Sequence, residues 1–251
     1  MGGATMAAAL APTGKRILIL EKGEALRPSS ADRDAGAIFG RGHFRPKETW
    51  IDGKGRPFNP GNYYNVGGNS KFYGAVLLRY RAEDFAPIRH LEGTTPGWPI
   101  RYDDLEPYYQ RAETMYQVRG QLGQDPSEPR HSGSYPHAPV PDEPVIEDLR
   151  RRLTSVGLHP ASLPLGVDID HWLRGGRTTW DAYPNTTGGK MDAETIGIAE
   201  ALRHPNVTLR TGAAVTRLIA DGTGRISGVE VGAEVLSAPL VVLAAGAVQS
   251  A

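Results

Sequence analysis

The sequence predicts an α/β fold organised around a parallel sheet and interrupted by an insertion of helices and irregular chain. Three observations carry this. Gly2 and Gly3 open an Ala-rich segment, Ala4–Ala11, that breaks at Pro12-Thr13-Gly14. The apolar run Ile17–Leu20 follows and ends on Glu21. Towards the C-terminal side, short strand-like runs recur at Val207–Arg210, Ala213–Ala220, Arg225–Val231, Glu234–Ser237 and Leu240–Ala244. Helix, turn, apolar strand and acidic strand end is the order of a Rossmann-like βαβ unit. There an acidic residue about 20 positions beyond the glycines accepts the ribose hydroxyls of a dinucleotide. The spacing from Gly3 to Glu21 fits. The strand that should precede the glycines, and the first two glycines of G-x-G-x-x-G, are not in the sequence.

Taken in order, residues 3–12 read as a helix and 16–21 as a parallel strand. Ile17–Leu20 does not alternate, as expected when both faces are covered. Residues 22–74 are rich in Gly, Pro, Asn and aromatics without a clear period, and a loop this long is usually functional. Asp103 reads as a helix N-cap with Glu106 completing a capping box, and Leu105, Tyr108, Tyr109, Ala112 and Tyr116 as the inward face. Residues 121–142 are a Pro/Gly/Ser/His-rich connection. A second helix places Val145, Ile146, Leu149, Leu153 and Val156 inward, with Gly157 closing it. Residues 158–190 are irregular, and a helix over about 191–203 ends before Pro205. In the strand-rich tail, Asp221-Gly222-Thr223-Gly224 is a turn.

Composition narrows the function classes. The 251 residues carry 28 acidic and 28 basic side chains, so no global field favours nucleic acid or an anionic membrane. No apolar run reaches the ~18 residues of a membrane span. Zero cysteines exclude disulfides, thiolate metal sites and cysteine nucleophiles, and fit a cytoplasmic protein. The seven histidines form no H-E-x-x-H, and there is neither a G-x-S-x-G elbow nor a phosphate-binding P-loop.

Three motifs carry chemistry. Gly2 and Gly3 allow close backbone approach to a pyrophosphate at a helix N-terminus, where free N–H groups and the dipole favour an anion. Val66-Gly67-Gly68-Asn69-Ser70 can wrap tightly around a flat or anionic ligand. Tyr63, Tyr64, Phe72 and Tyr73 beside it could form a ring-binding pocket or core. Val241–Ala247 is an apolar run ending in small residues, which admits a backbone or cofactor closely. Taken singly, each motif is also compatible with an ordinary turn or core strand.

In order and spacing these segments resemble the glucose-methanol-choline (GMC) family of FAD-dependent oxidoreductases. The matching pieces are the Gly-Gly-Ala-Thr helix, the Ile-Leu-Ile-Leu-Glu-Lys-Gly strand end, Val66–Ala75, Trp98–Tyr109, Pro205–Leu209, Ala213–Leu218 and Leu243–Ser250. The likeness is weakest over 120–190. It implies FAD as cofactor, with Gly2 and Gly3 at the pyrophosphate and Glu21 at the adenosine ribose. Gly67, Gly68, Asn69 and Ser70 would line the flavin and diphosphate. Lys71, Phe72 and Tyr73 would lie near the isoalloxazine ring, and Gly74 would also contact the cofactor. Val215 would meet adenine through its backbone, and Ala245 and Gly246 would border the cofactor. The implied reaction oxidises an alcohol to a carbonyl, with hydride passing to flavin N5.

The resemblance also implies departures. No residue matches the family's catalytic histidine and its partner, so no catalytic residue and no metal ligand is assigned. The Val66–Gly74 loop contains no histidine to carry flavin covalently, so FAD is expected to bind non-covalently. The expected organisation is a discontinuous FAD domain, 1–90 and 205–251, around a substrate-side insertion, 91–204. The first strand and the C-terminal domain are expected to be missing, leaving a fragment inactive alone. The partner would be a small-molecule alcohol. The alternatives are a non-catalytic remnant or nucleotide-binding module, and a nicotinamide-dependent Rossmann dehydrogenase, which would instead show regular βαβ repeats after residue 21.

Overall fold

A computed structural model describes residues 1–174, 181–246 and 249–250. Its elements in chain order are α1 (Gly2–Leu10), β1 (Ile17–Leu20), β2 (Trp50–Ile51), β3 (Pro57–Phe58), β4 (Ile88–His90), β5 (Gly93–Thr95), α2 (Tyr102–Met115), α3 (Pro144–Ser155), α4 (Ile169–Leu173), β6 (Val207–Arg210), β7 (Val215–Ala220), β8 (Ile226–Val231) and β9 (Glu234–Ser237). Short 3-10 and π-helical turns lie between them, among them Gly68–Lys71 and Ala193–Ile198. Two compact units result. One comprises Met1–Gly74, Arg177–Gly188 and Asp192–Ala251, the other Ala75–Gly176 and Gly189–Met191. Residues 75–90 therefore fall with the second unit and 192–204 with the first, across the boundaries expected at 90 and 204.

In the first unit, the alanines of α1 supply helix propensity without side-chain entropy cost. The helix tightens into a 3-10 turn at Ala11–Thr13, and Gly14, at φ +72°, reverses the chain. β1 returns beside it and pairs in parallel with β6, from Ile17 opposite Val207 to Leu20 opposite Arg210. Ala4, Val66, Ala193 and Ile198 form the core between these elements, with Ile19 and Leu209 packed on it. A Cβ on Gly197 would lie 2.7 Å from Ala4 Cβ, so the absent side chain is what lets the 193–198 turn seat on α1. Strands β7, β8 and β9 form an antiparallel sheet in that order. The turn at Asp221 forms as expected, its carboxylate accepting the N–H groups of Thr223 and Arg225.

Several expectations are corrected. β1 is parallel but not covered on both faces: Leu18 is 46% exposed, and β6 is its one strand partner among the described residues. Leu240–Ala244 is not a strand; no described strand offers it a ladder, and Leu240, Val242 and Leu243 are exposed. The motif's Ala247 and Val248 lie outside the described residues. The helix expected at 191–203 starts instead at Ala193, where Asp192 caps it by accepting the Thr195 N–H at 2.8 Å.

In the second unit, α2 starts at Tyr102, with Asp104 accepting the Arg101 N–H at 2.8 Å. Glu106 does not cap; it is buried. Its carboxylate accepts from Arg79 at 3.1 Å and from the Ser132 N–H at 2.7 Å. This charge network turns the helix, so Tyr102, Glu106, Glu113 and Tyr116 face inward and Tyr108 is exposed. The apolar face expected on α3 is largely uncovered: none of its residues is buried, and only Leu153 of that face is half-buried.

Candidate cofactor site

The expected cofactor residues all fall in the first unit, and the connectivity of α1 and β1 explains why several meet. A nine-residue helix rises about 13 Å, and a four-residue strand spans about the same length. The chain reverses between them, so the first turn of α1 and the end of β1 lie at one end of the unit. Among the described residues, no side chain caps the α1 N-terminus. Its first N–H groups are therefore the natural donors for an anion. Gly2 is open, with no atom within 4 Å of a Cβ built there. Gly3 faces Ala244: a Cβ built on Gly3 would stand 3.0 Å from the Ala244 Cβ. The C-terminal small-residue motif and the α1 glycines thus adjoin, although that motif is not a strand.

Glu21 ends β1. Its carboxylate accepts the Gly23 N–H at 2.9 Å, and its carbonyl accepts the Ala213 N–H at 2.9 Å. Burial raises the carboxyl above the usual range, offset in part by the N–H groups of Gly23 and Lys22. Val215 begins β7 two residues after Ala213, paired with Val231 and largely exposed. The chain beyond Glu21 then meets the second glycine loop. Glu24 bridges Asn65, and a Cβ at Gly23 would lie 1.9 Å from the Tyr64 carbonyl oxygen. Lys22 Nζ sits 3.8 Å from the centre of the Tyr64 ring.

Gly67 and Gly68 are both left-handed, at φ +89° and +54°. They lead into the 3-10 turn at Gly68–Lys71. Asn69 is exposed, and its side-chain oxygen accepts the Tyr63 N–H at 2.9 Å. Ser70 is buried; its hydroxyl donates to the Gly67 carbonyl at 2.6 Å and accepts the Ala193 N–H at 3.1 Å. Ala245 and Gly246 are exposed, Gly246 left-handed at φ +89°.

The residues expected at the isoalloxazine ring differ in their exposure. Phe72 is buried and stacked on Tyr63, with ring centroids 3.8 Å apart and planes 12° apart, so it belongs to the core. Lys71 is also buried, and its ammonium pairs with Asp192 at 3.2 Å and Glu194 at 2.6 Å. Tyr73 is half-buried, and Gly74 backs onto the Asp181 carboxylate, 3.2 Å from where its Cβ would stand.

Sequence reasoning missed the carboxylates under this loop. Asp192 could have been found as a polar residue opening a helix. Nothing local links it to Lys71.

The donor set fits a dinucleotide. An uncapped helix end with bare glycines suits a pyrophosphate, a carboxylate at the same end suits a ribose, and two left-handed glycines expose backbone to a ligand.

Comparison with known proteins agrees. The chain is 32% identical over 267 residues to 6'''-hydroxyparomomycin C oxidase of Streptomyces lividus, covering 99% of this chain and 47% of that one. It is 31% identical over 235 residues to paromamine 6'-oxidase of Streptomyces fradiae, covering 87% and 40%. The chain therefore spans less than half the length of these curated relatives. A solved FAD-dependent oxidoreductase from Chaetomium thermophilum shares the fold at a TM-score of 0.54 and 17% identity, over 94% of this chain and 42% of that one. The sequence profile of one family, described as FAD dependent oxidoreductase, matches residues 1–250. That match sets aside the nicotinamide-dependent dehydrogenase. With its helix end, strand-end carboxylate and glycine loop gathered in one unit, the chain belongs to the FAD dependent oxidoreductase family.

Proposed function

We propose that this chain is the cofactor-binding part of a GMC-type enzyme that oxidises a CH–OH group of a small donor to a carbonyl. The observation carrying this reading is the meeting of the α1 N-terminus, Glu21 and the Gly67–Gly68 loop around one core. FAD supplies the hydride acceptor. Around it, Gly2 and Gly3 present helix N–H groups to the pyrophosphate, and Glu21 accepts from the ribose. Gly67, Gly68, Asn69 and Ser70 line the diphosphate and ring, with Tyr73 and Gly74 beside them. Val215, Ala245 and Gly246 border the nucleotide. We assign no catalytic base within the chain, and we assign the second unit to the substrate side.

The attachment of FAD is non-covalent in this reading, because Val66–Gly74 offers no histidine. The relatives' names make 6'''-hydroxyparomomycin C and paromamine the molecules those enzymes oxidise. A hydroxylated amino sugar is therefore the first donor class to try. The balanced charge and absent cysteines suit a cytoplasmic enzyme, and no described helix is long and apolar enough to cross a membrane.

The test is an FAD titration followed by flavin fluorescence, with denaturation afterwards to release the cofactor. Saturable binding that Gly67→Ala weakens, and flavin released intact on unfolding, support the reading. Flavin retained on the denatured polypeptide sinks non-covalent attachment; no binding in the whole protein sinks the site. Anaerobic bleaching of the bound flavin by an amino sugar tests the donor class.

A further inference from the structure

We infer that Lys71 is a positioning residue for the cofactor loop: clamped by Asp192 and Glu194, its ammonium holds the left-handed Gly67–Gly68 pair, and the 3-10 turn that follows, in the conformation presented to FAD. The role presupposes that this loop touches FAD, as proposed above.

The geometry is that of a latch under a turn. The Lys71 stem runs directly beneath Gly67, where a Cβ would stand 2.8 Å from Cδ and 3.1 Å from Cγ. Its ammonium then reaches two carboxylates, with side-chain exposures of 4% for Lys71, 0% for Asp192 and 28% for Glu194. Asp192 is fixed in turn. It accepts the Thr195 N–H at 2.8 Å and the Asn185 side-chain amide at 2.5 Å. The Asn185 N–H donates to the Lys71 carbonyl at 2.8 Å. Ser70 adds a neutral contact to the same turn through Ala193. The loop is thus pinned at both its hydroxyl and its ammonium to the start of one helix.

A buried charge pair is a weak source of net stability, but removing one partner leaves the other buried without compensation. Two left-handed residues in succession are a conformation an unpinned glycine pair leaves readily, because glycine has many alternatives. The charge on Lys71, rather than the bulk of its stem, is therefore what keeps the loop formed. Lys71→Met retains the stem beneath Gly67 and removes only the charge. Asp192 then loses its lysine partner, and replacing it by Asn relieves the cost.

The experiment compares the chain with Lys71→Met and with Lys71→Met/Asp192→Asn, by amide hydrogen exchange without ligand and by FAD titration. Gly68 and Phe72 report the loop, since their N–H groups are bonded within it at 2.7 and 3.0 Å. Lys71→Met is expected to speed their exchange, relative to the intrinsic rate, by about tenfold and to weaken FAD by a similar factor. Both effects should shrink in the double variant, while residues 215–237 stay protected. Effects not relieved by Asp192→Asn overturn the charge role, as does loop exchange within about twofold of the parent. Should Lys71→Met also release residues 215–237, Glu194→Gln replaces it: faster loop exchange upholds the latch and unchanged exchange overturns it. A parent that binds FAD beside a Lys71→Met variant that binds equally overturns the latch alone. A parent with no affinity overturns the cofactor reading of the loop and the latch with it.

Discussion

Gly67 lies directly over Lys71: a Cβ at position 67 would stand 2.8 Å from Lys71 Cδ, on a backbone at φ +89°. Both terms oppose a side chain there. Strain at such a backbone costs about 1–3 kcal/mol. Gly67→Ala is therefore expected to lower the thermal midpoint and to weaken FAD by at least about tenfold, read by calorimetry and flavin titration. An alanine variant with parental stability and affinity contradicts it.

Gly23 makes a closer approach. A Cβ there would meet the Tyr64 carbonyl oxygen at 1.9 Å and the Asn65 nitrogen at 2.7 Å, and neither is the movable end of a side chain. Gly23→Ala must separate the end of β1 from the glycine loop. The expected loss is about 2–3 kcal/mol in urea unfolding. Gly53→Ala is the control, since nothing lies within 4 Å of its Cβ; it should change stability by less than about 0.5 kcal/mol.

Arg79 anchors the second unit. Its guanidinium donates to Glu113 twice at 2.6 Å, to Glu106 at 3.1 Å and to the Tyr102 hydroxyl at 2.9 Å, all buried. Burial works to raise the Glu106 carboxyl; the Ser132 N–H and Arg79 outweigh it and hold it below the usual range. Arg79→Met strands two buried carboxylates, and a loss of about 3–5 kcal/mol is expected. Equilibrium denaturation measures it, and a loss below about 1 kcal/mol would show the network to be dispensable.

His131 sets a pH dependence. Its ring is 2% exposed, with Nε2 3.3 Å from a Glu128 carboxylate oxygen and Nδ1 3.8 Å from one of Glu113, and neither nitrogen makes a well-aligned hydrogen bond among the described residues. Burial lowers its pKa, Arg79 adds to that, and Glu113, Glu128 and Glu106 oppose it without cancelling. The unfolded chain then binds the proton more readily than the folded one. Stability is full above the ordinary histidine range and declines as pH falls through that range towards the lowered folded value. His131→Phe should flatten this part of the stability–pH curve; an unchanged slope would falsify the assignment.

The two levels of the molecule divide along physical lines. Local pattern determined α1, β1, the β7–β9 strands, the Asp221 turn and the glycine pairs, because propensity, capping and left-handed glycine are properties of a few consecutive residues. It also marked Glu21, whose distance from Gly3 follows from one helix and one strand. Only the tertiary structure decided which way α2 faces, since that depends on Arg79 capturing Glu106 and Glu113 from elsewhere in the chain. It decided that Leu240–Ala244 is no strand, because a strand needs a neighbour and an apolar run cannot supply its own. It buried Lys71 and Phe72, and it brought Asp192 against the Lys71 ammonium and Glu194 beneath Gly67. A buried charge is tolerable only beside its counter-charge, and that partner is chosen by folding rather than by sequence spacing.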